Sequence, residues 1–269
     1  DDPPETDPDK DPDEREEEVP ESEIVRRIAF DIGSNAIKCL IADVDVTSGS
    51  IVEALHGVEV PCSFAVSWKA SADGRLADDV MNHGLRILNG FARRATALGA
   101  TQKAAIATEV FRRAANGGVY LSRILAELGL PVDLVEQETE ARLGFLTVAA
   151  YGRLPRDQLI AWDSGGASFQ FTKMADGGGA GSANGCGATG GKPALLTYLG
   201  ALGVGVATFA CVEVVQGRAF AAHPGPNPVS LSDATRLVSH LRAQLPPPPD
   251  WLLGSTHVVA IGGPNSMFA

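Results

Sequence analysis

The chain has 269 residues, of which 45% are hydrophobic and 20% charged, and its formal net charge is -11 at pH 7. This composition excludes a wholly disordered or collagen-like chain and suffices for one large hydrophobic core or two modest ones. Residues 1–23 hold 13 acidic side chains against Lys10 and Arg15, so residues 24–269 are neutral overall. Because they contain no basic run longer than a pair, we expect no nucleic-acid partner.

The first 23 residues alternate Asp, Glu and Pro with almost nothing apolar, which predicts a disordered acidic tail. We expect a cytoplasmic protein, but the sequence begins with Asp rather than Met, which keeps organellar targeting open. The four cysteines form no C-x-x-C pair and have no His at ligand spacing. We therefore predict buried free thiols instead of a zinc or thioredoxin site at Cys39, Cys62, Cys186 and Cys211.

The first half of the sequence alternates strands and helices after an opening β-meander. Apolar runs separated by turn residues predict three consecutive strands, and later segments with helical spacing follow two further short strands. Gly99 is a suitable C-cap for the first long helix. The predicted strands are 24–31, 37–44, 50–60, 103–107 and 132–135, and the predicted helices are 78–98, 119–128 and 138–150.

The second half begins by repeating the opening hairpin, with Asp163 and Gly165 in the places of Asp31 and Gly33. Strands at 159–163 and 168–174 flank the turn Gly165-Gly166. The Gly-rich stretch 175–192 carries no phosphate-loop pattern, and we assign it no chemistry. Residues 194–212 are uncharged and long enough for a membrane span, but their glycines favour a strand, a turn and a helix start.

The last part of the sequence is predicted to contain one helix and one strand. The helix covers 230–245, and the strand 258–261 runs into Gly262-Gly263. A strand that enters a glycine turn normally continues into a helix. We therefore expect the second domain to lack its C-terminal part.

Two hairpin tips share a pattern that suits phosphate binding. Asp31-Ile32-Gly33-Ser34-Asn35 and Asp163-Ser164-Gly165-Gly166-Ala167-Ser168 each place a carboxylate at a strand end, followed by glycine and hydroxyl residues. Glycines let backbone N–H groups approach anionic oxygens, and an Asp at this position can hold Mg²⁺. One such turn is most often only a tight hairpin, but two at matched positions favour a phosphate site.

Four motifs in sequence order resemble the exopolyphosphatase and guanosine pentaphosphate phosphatase family. They are the first tip with Lys38, Ala107-Thr108 with Arg112 and Asn116, Glu140-Ala141-Arg142-Leu143, and the second tip. That family belongs to the actin, sugar-kinase and heat-shock chaperone ATPase superfamily. The resemblance implies an α/β fold of two ribonuclease-H-like domains, 24–146 and 147–269, with a substrate cleft between them.

The resemblance also implies Mg²⁺-dependent removal of terminal phosphate from inorganic polyphosphate or guanosine pentaphosphate. Glu140 matches the family's base, and Asp31 and Asp163 match its metal ligands. Arg142 either belongs to the site or pairs with Glu138. The residues expected to bind phosphate or substrate are Gly33, Ser34, Asn35, Lys38, Arg112, Gly165, Gly166, Ala167, Ser168, Gly262 and Gly263.

The second tip departs from the family's usual D-[IV]-G-G-G-S-T-E. Here Ala167, Phe169 and Gln170 replace a glycine, a hydroxyl residue and a carboxylate. Loss of that carboxylate removes a base and a metal ligand, so an alternative function is a catalytically weakened regulator that binds nucleotide or polyphosphate. A phosphotransferase related to sugar or acetate kinases is a third interpretation. We expect no membrane partner and consider a homodimer.

Overall fold

The computed structural model describes residues 23–151, 155–175, 194–223, 225–253 and 257–262. The predictions of a disordered tail over 1–23 and of an unstructured Gly-rich stretch over 175–192 lie almost entirely outside these ranges. Gly263 and Cys186 also lie outside them. Cys39, Cys62 and Cys211 are buried free thiols, as predicted.

The first sheet has five strands in the order β3-β2-β1-β4-β5. The three opening strands pair antiparallel as a meander, and β4 and β5 continue the sheet in parallel on the other side of β1. The predicted meander is therefore confirmed. The strands are β1 (Ile24–Ile32), β2 (Ala36–Asp45), β3 (Ser50–Pro61), β4 (Gln102–Ala107) and β5 (Asp133–Leu134).

Four helices accompany this sheet. The helical period could be recognised in the longest helix because its buried residues recur at helical spacing. Its buried face includes Met81, Leu85, Leu88, Phe91 and Ala95. It ends just before Gly99, which has a positive φ of 77°. Two short helices were not predicted. The helices are α1 (Phe64–Ala70), α2 (Asp78–Ala97), α3 (Glu109–Arg113) and α4 (Gly117–Leu128), of which α1 and α3 were missed.

The second sheet repeats the strand order of the first. Its order β8-β7-β6-β9 matches β3-β2-β1-β4, with two antiparallel pairings followed by one parallel pairing. The second half is thus a four-stranded copy of the same topology, as the fold class predicted. The strands are β6 (Ile160–Ser164), β7 (Phe169–Met174), β8 (Leu195–Gly200) and β9 (Val258–Ile261).

Helices surround the second sheet. The segment 194–212 forms β8, a glycine turn and a helix, as predicted. In the part of the chain that the structure describes, no helix combines the length and apolar character needed to cross a bilayer. The helices are α5 (Gln137–Tyr151), α6 (Val204–Ala210), α7 (Leu231–Arg242) and α8 (Asp250–Leu253).

Helix α5 packs on the second sheet. Its buried residues Phe145 and Val148 form one cluster with Leu159 and Ala161, separate from the larger core of the first sheet. We predicted this helix to belong mostly to the N-terminal domain, with a boundary after residue 146. That boundary stays a prediction, but the packing places α5 on the second sheet.

Candidate active site

The two glycine turns have the same hydrogen-bond pattern. The N–H of Gly33 donates to the carbonyl of Ala36, and the N–H of Gly165 donates to the carbonyl of Ser168, each at 2.9 Å. The turns therefore match at the level of single hydrogen bonds, although they come from opposite halves of the chain. Among the described residues, no acceptor takes the backbone N–H groups of Ser34, Asn35, Gly166 and Ala167.

A carboxylate stands at the end of the first strand of each hairpin. Asp31 lies opposite Lys38 across β1 and β2, and the Lys38 Nζ is 3.3 Å from Asp31 Oδ2. Asp163 lies opposite Gln170 across β6 and β7. The two hairpins thus place equivalent carboxylates at their tips, but only the first one pairs its carboxylate with a cation across the strands.

The tips of the two hairpins meet at glycines. A Cβ added to Gly166 would lie 2.1 Å from the Asn35 Nδ2, so the amide of the first turn fills the space beside the second. The N–H of Gly205 donates to the Gly166 carbonyl at 2.9 Å. A Cβ on Gly203 would lie 2.4 Å from the Gly165 carbonyl oxygen. The missing Cβ at Gly166 lets the two turns approach each other, and the missing Cβ at Gly203 lets the start of α6 approach the second turn.

A cleft of about 460 Å³ opens between the two sheets at the hairpin tips. It receives residues from both turns, from the end of β4, from α5 and from the end of β9. Its polar lining residues are Asp31, Ser34, Asn35, Lys38, Glu59, Thr108, Glu140, Thr147, Asp163, Ser164 and Ser168, and the remaining ones include Gly33, Gly144, Gly165, Gly166, Ala167 and Gly262.

The first turn of α5 brings Glu140 to this cleft. The side-chain amide of Gln137 donates to the carbonyls of Phe169 at 3.3 Å and Gly200 at 3.4 Å, which fixes the helix start against the second sheet. One turn after Glu140, Gly144 lies against Asp163, since an added Cβ would be 3.3 Å from Asp163 Oδ2. The helix therefore passes close to the second carboxylate.

The carboxylate of Glu140 is buried, and few neighbouring groups compensate its negative charge. Its side chain is 15% exposed, and its Oε2 lies 3.5 Å from Nη2 of Arg112. No group within the described residues makes a hydrogen bond to that oxygen. Burial raises the pKa of Glu140 to about 7. Arg112 opposes this shift, while Asp163, Asp31 and Glu109 add to it.

The other charged groups of the cleft are also shifted. Burial raises the pKa of Asp163 to about 6, with Lys38 opposing the shift and Asp31 adding to it. Burial lowers the pKa of Lys38, but Asp31, Asp163 and Glu59 outweigh it, so the net shift is upward and the ammonium is retained. The cleft thus holds four carboxylates around one lysine, an excess of negative charge.

Comparison with known proteins identifies one matching family model and several similar solved structures. The family model described as the Ppx/GppA phosphatase family matches residues 47–177. A solved structure of the Aquifex aeolicus PPX-GPPA enzyme is 22% identical and has a TM-score of 0.59, covering 90% of this chain and 69% of that chain. Residues 47–177 of this chain are therefore similar to the Ppx/GppA phosphatase family.

Two further solved structures share the fold at similar or lower identity. The type II variant of the Aquifex aeolicus Ppx/GppA phosphatase is 22% identical with a TM-score of 0.57, covering 89% of this chain and 68% of that chain. An exopolyphosphatase-like protein is 16% identical with a TM-score of 0.60, covering 90% and 67%. The match to another structure of the Aquifex aeolicus family member, 28% identical with a TM-score of 0.49, covers 56% of this chain and only 47% of that chain.

Most residues predicted from the Ppx/GppA motifs line the cleft. The exceptions among the described residues are Arg112, Arg142 and Gln170. Arg112 contacts Glu140 but does not itself line the cleft. Gln170 lies on β7 of the second sheet and is only 1% exposed. Gly262 lines the cleft, while Gly263 is outside the described ranges. The structure thus assembles the predicted set, and the role of each residue stays a prediction.

The three residues of the second hairpin that depart from the family pattern lie in different surroundings. Ala167 lines the cleft, whereas Phe169 is buried beneath Gly200, where an added Cβ would lie 2.3 Å from its ring. The Gln170 Nε2 donates to the Ser168 Oγ at 3.2 Å, and in the described structure its Oε1 has no partner. Phe169 and Gln170 therefore pack inside the domain, and Gln170 acts on the cleft through Ser168.

Several residues that line the cleft were not predicted as site residues from the sequence. Thr108 follows β4, which is parallel to β1, so its position beside the Asp31 tip could have been predicted from the parallel pairing. Gly144 and Thr147 lie one and two turns after Glu140 on α5, a spacing that could also have been read. Glu59 comes from β3, opposite Lys38 in the register. Only the observed register places it there.

Stability is expected to fall as pH rises, because Glu140 titrates near 7 in the folded protein and near 4.5 when unfolded. Between these values the native state keeps a proton that the unfolded chain has released. The loss is on the order of 3 kcal/mol by pH 8. Urea unfolding with a chelator present checks this. Glu140→Gln should be the more stable protein at pH 8 but not at pH 4.5, and parallel pH profiles for the two proteins would contradict the assignment.

Proposed function

We propose that this chain is a Mg²⁺-dependent phosphohydrolase that removes terminal phosphate from inorganic polyphosphate or guanosine pentaphosphate. The match of residues 47–177 to the Ppx/GppA phosphatase family model supports hydrolysis of a phosphoanhydride. The observation that carries the proposal is the buried Glu140 carboxylate, which accepts no hydrogen bond at Oε2 from the described residues and lines a cleft between two glycine turns. Such a carboxylate is suited to accept a proton from an attacking water.

The turns are suited to hold the phosphate groups. Four turn N–H groups have no acceptor among the described residues, and the Ser34 and Ser168 side chains line the same cleft. Backbone donors of this kind bind anionic oxygens without a charged side chain. Because Gln170 donates to the Ser168 Oγ, the hydroxyl hydrogen of Ser168 is available to a phosphate oxygen.

The cleft carboxylates fit a cation shared with the substrate. Mg²⁺ is commonly bound by one or two carboxylates together with phosphate oxygens and waters, and Asp31 and Asp163 supply such a pair. The described residues contain no cluster of three or more His, Cys, Asp or Glu side chains that could hold a metal alone. When bound, Mg²⁺ would neutralise charge that develops on the transferred phosphoryl group.

The remaining steps belong to side chains of this chain. Glu140 would take the proton of the attacking water, and a pKa of about 7 keeps it a competent base at neutral pH. Lys38 would offset the negative charge of the substrate beside Asp31. The turn N–H groups would stabilise the equatorial oxygens in the transition state.

A second candidate function is binding without turnover. Gln170 stands where the family pattern has a carboxylate, and it is buried and bonded to Ser168 instead of facing the cleft. A site that keeps its phosphate donors but has lost this carboxylate could serve a nucleotide- or polyphosphate-binding regulator. The two candidates differ only in whether bound phosphate chains are shortened.

The test is phosphate release from long-chain polyphosphate, measured with Mg²⁺ and with a chelator. Release is expected only with Mg²⁺, and Asp163→Asn should reduce it at least about tenfold because the carboxylate pair is lost. Asp157→Asn is the matched control, since Asp157 is exposed on a short 3-10 helix (Arg156–Gln158) away from the cleft. Metal-independent release would contradict the proposed mechanism. Saturable binding with no release would favour the regulator.

A further inference from the structure

One nitrogen of Arg112 lies between two carboxylates. Its Nη2 is 2.6 Å from Glu109 Oε2 and 3.5 Å from Glu140 Oε2. The other terminal nitrogen, Nη1, donates to the carbonyl of Val135. Arg112 therefore makes its short ion pair with Glu109, and Glu140 receives only the longer contact.

Glu109 is the buried centre of a cationic group. It is 8% exposed, and its second oxygen Oε1 lies 3.2 Å from the Nε of Arg113. Lys69 is also close enough to interact: burial and Arg113 lower the pKa of Lys69, and Glu109 opposes them. One carboxylate thus balances Arg112, Arg113 and Lys69. Its own charge is fully committed on the side of α3 that faces away from the cleft.

We propose that Glu109 is a positioning residue that holds Arg112 at a distance from Glu140, so that the Glu140 carboxylate keeps its affinity for the proton of water. This inference rests on the proposed function, because it specifies how the base of that site avoids a short ion pair. It follows from the two distances to one nitrogen: a guanidinium that closed on Glu140 would stabilise its charged form, and the carboxylate would accept a proton less readily.

Removal of the Glu109 charge should reverse this preference. In Glu109→Gln the side chain keeps its size, and its amide oxygen can still accept from Arg112, but the ionic part of the interaction is gone. Arg112 is then drawn to the nearest remaining carboxylate, which is Glu140. Proton transfer to Glu140 becomes less favourable, while the phosphate-binding turns are untouched.

The kinetic test separates kcat from KM on polyphosphate. Glu109→Gln is expected to lower kcat about tenfold and to leave KM within about twofold, because the base is affected and the turns are not. In an Arg112→Met background the same change should have no further effect on kcat. Glu127→Gln is the matched control, as Glu127 pairs with Arg123 on exposed α4. An equal drop in kcat with and without Arg112 would overturn the inference.

A second measurement does not depend on turnover. A double-mutant cycle of Arg112→Met and Glu140→Gln, read from urea unfolding without substrate, gives the coupling between the two side chains. This coupling should increase in the Glu109→Gln background, and an unchanged coupling would overturn the inference. If the proposed hydrolase failed but the coupling rose, only the function would be wrong. Should Glu109→Gln not unfold cooperatively, Glu109→Asp, with a shorter reach, should shift kcat in the same direction, and a change in KM alone would count against it.

Discussion

Glu140→Gln is expected to lower the rate of phosphate release by about 10²- to 10⁴-fold. The amide keeps the shape of the side chain but cannot accept a proton at neutral pH, and no other described carboxylate has a buried oxygen without a hydrogen bond. Phosphate release from polyphosphate under saturating Mg²⁺ measures the effect. The loss should appear in kcat, because Glu140 acts on the water and the turns hold the substrate.

The control for this prediction is Glu138→Gln. Glu138 lies in the same first turn of α5, just before Glu140, but its side chain is exposed and does not line the cleft. It should retain the wild-type rate within about twofold. Polyphosphate binding should survive in both variants. If Glu140→Gln also lost binding, Glu140 would be a structural or substrate-holding residue, and if it kept its rate, the base would have to be another group.

The hairpins could be predicted because each is a local feature. Alternating apolar runs on either side of Gly33 and of Gly165 fix strands, turn and register within one short stretch of sequence. The same sequence offset separates Asp31 from Asp163 and Gly33 from Gly165, and the hydrogen bonds of the two glycines confirm that the turns are equivalent. The sequence pattern alone was sufficient because the two strands of each hairpin are adjacent in the sequence.

Short helices were missed for a physical reason. Helix α1 has seven residues and α3 has five, so neither spans two full turns over which a 3.6-residue period can be recognised. Both are held by tertiary packing, with Phe64 and Phe111 in edge-on contact in the core. Such helices depend on what they pack against, and that information is not in the local sequence.

The charge network beside the cleft could not be predicted from the sequence either. The sequence places Glu109 and Arg112 one helical turn apart, which indicates a local ion pair, but Glu140 lies much further along the chain, on a different helix. Only the packing of α3 against the start of α5 brings the second carboxylate to the same guanidinium. Arg112 was predicted as a substrate ligand from the family resemblance, whereas the structure places it beside the candidate base and outside the cleft lining.

Gly203→Ala is expected to destabilise the protein by about 2 kcal/mol and to raise KM for polyphosphate by more than about tenfold. A Cβ at this position would lie 2.4 Å from the Gly165 carbonyl oxygen and 2.5 Å from the Gly166 carbonyl carbon. Both are backbone atoms of the second turn, so no side-chain rotation can relieve the contact. The turn must shift, and its N–H donors shift with it. Urea unfolding and the kinetics of phosphate release measure the two effects.

The matched control is Gly90→Ala, in the interior of α2, where an added Cβ meets no atom within 4 Å. Alanine favours the helix there, so this variant should be more stable by up to about 1 kcal/mol, with unchanged kinetics. At Gly203 the backbone is extended, with φ near -148°, so the expected cost is steric and does not arise from conformational preference. If Gly203→Ala matched the wild type in stability and KM, the second turn would not need the close approach of the start of α6, and its role in binding phosphate would have to be abandoned.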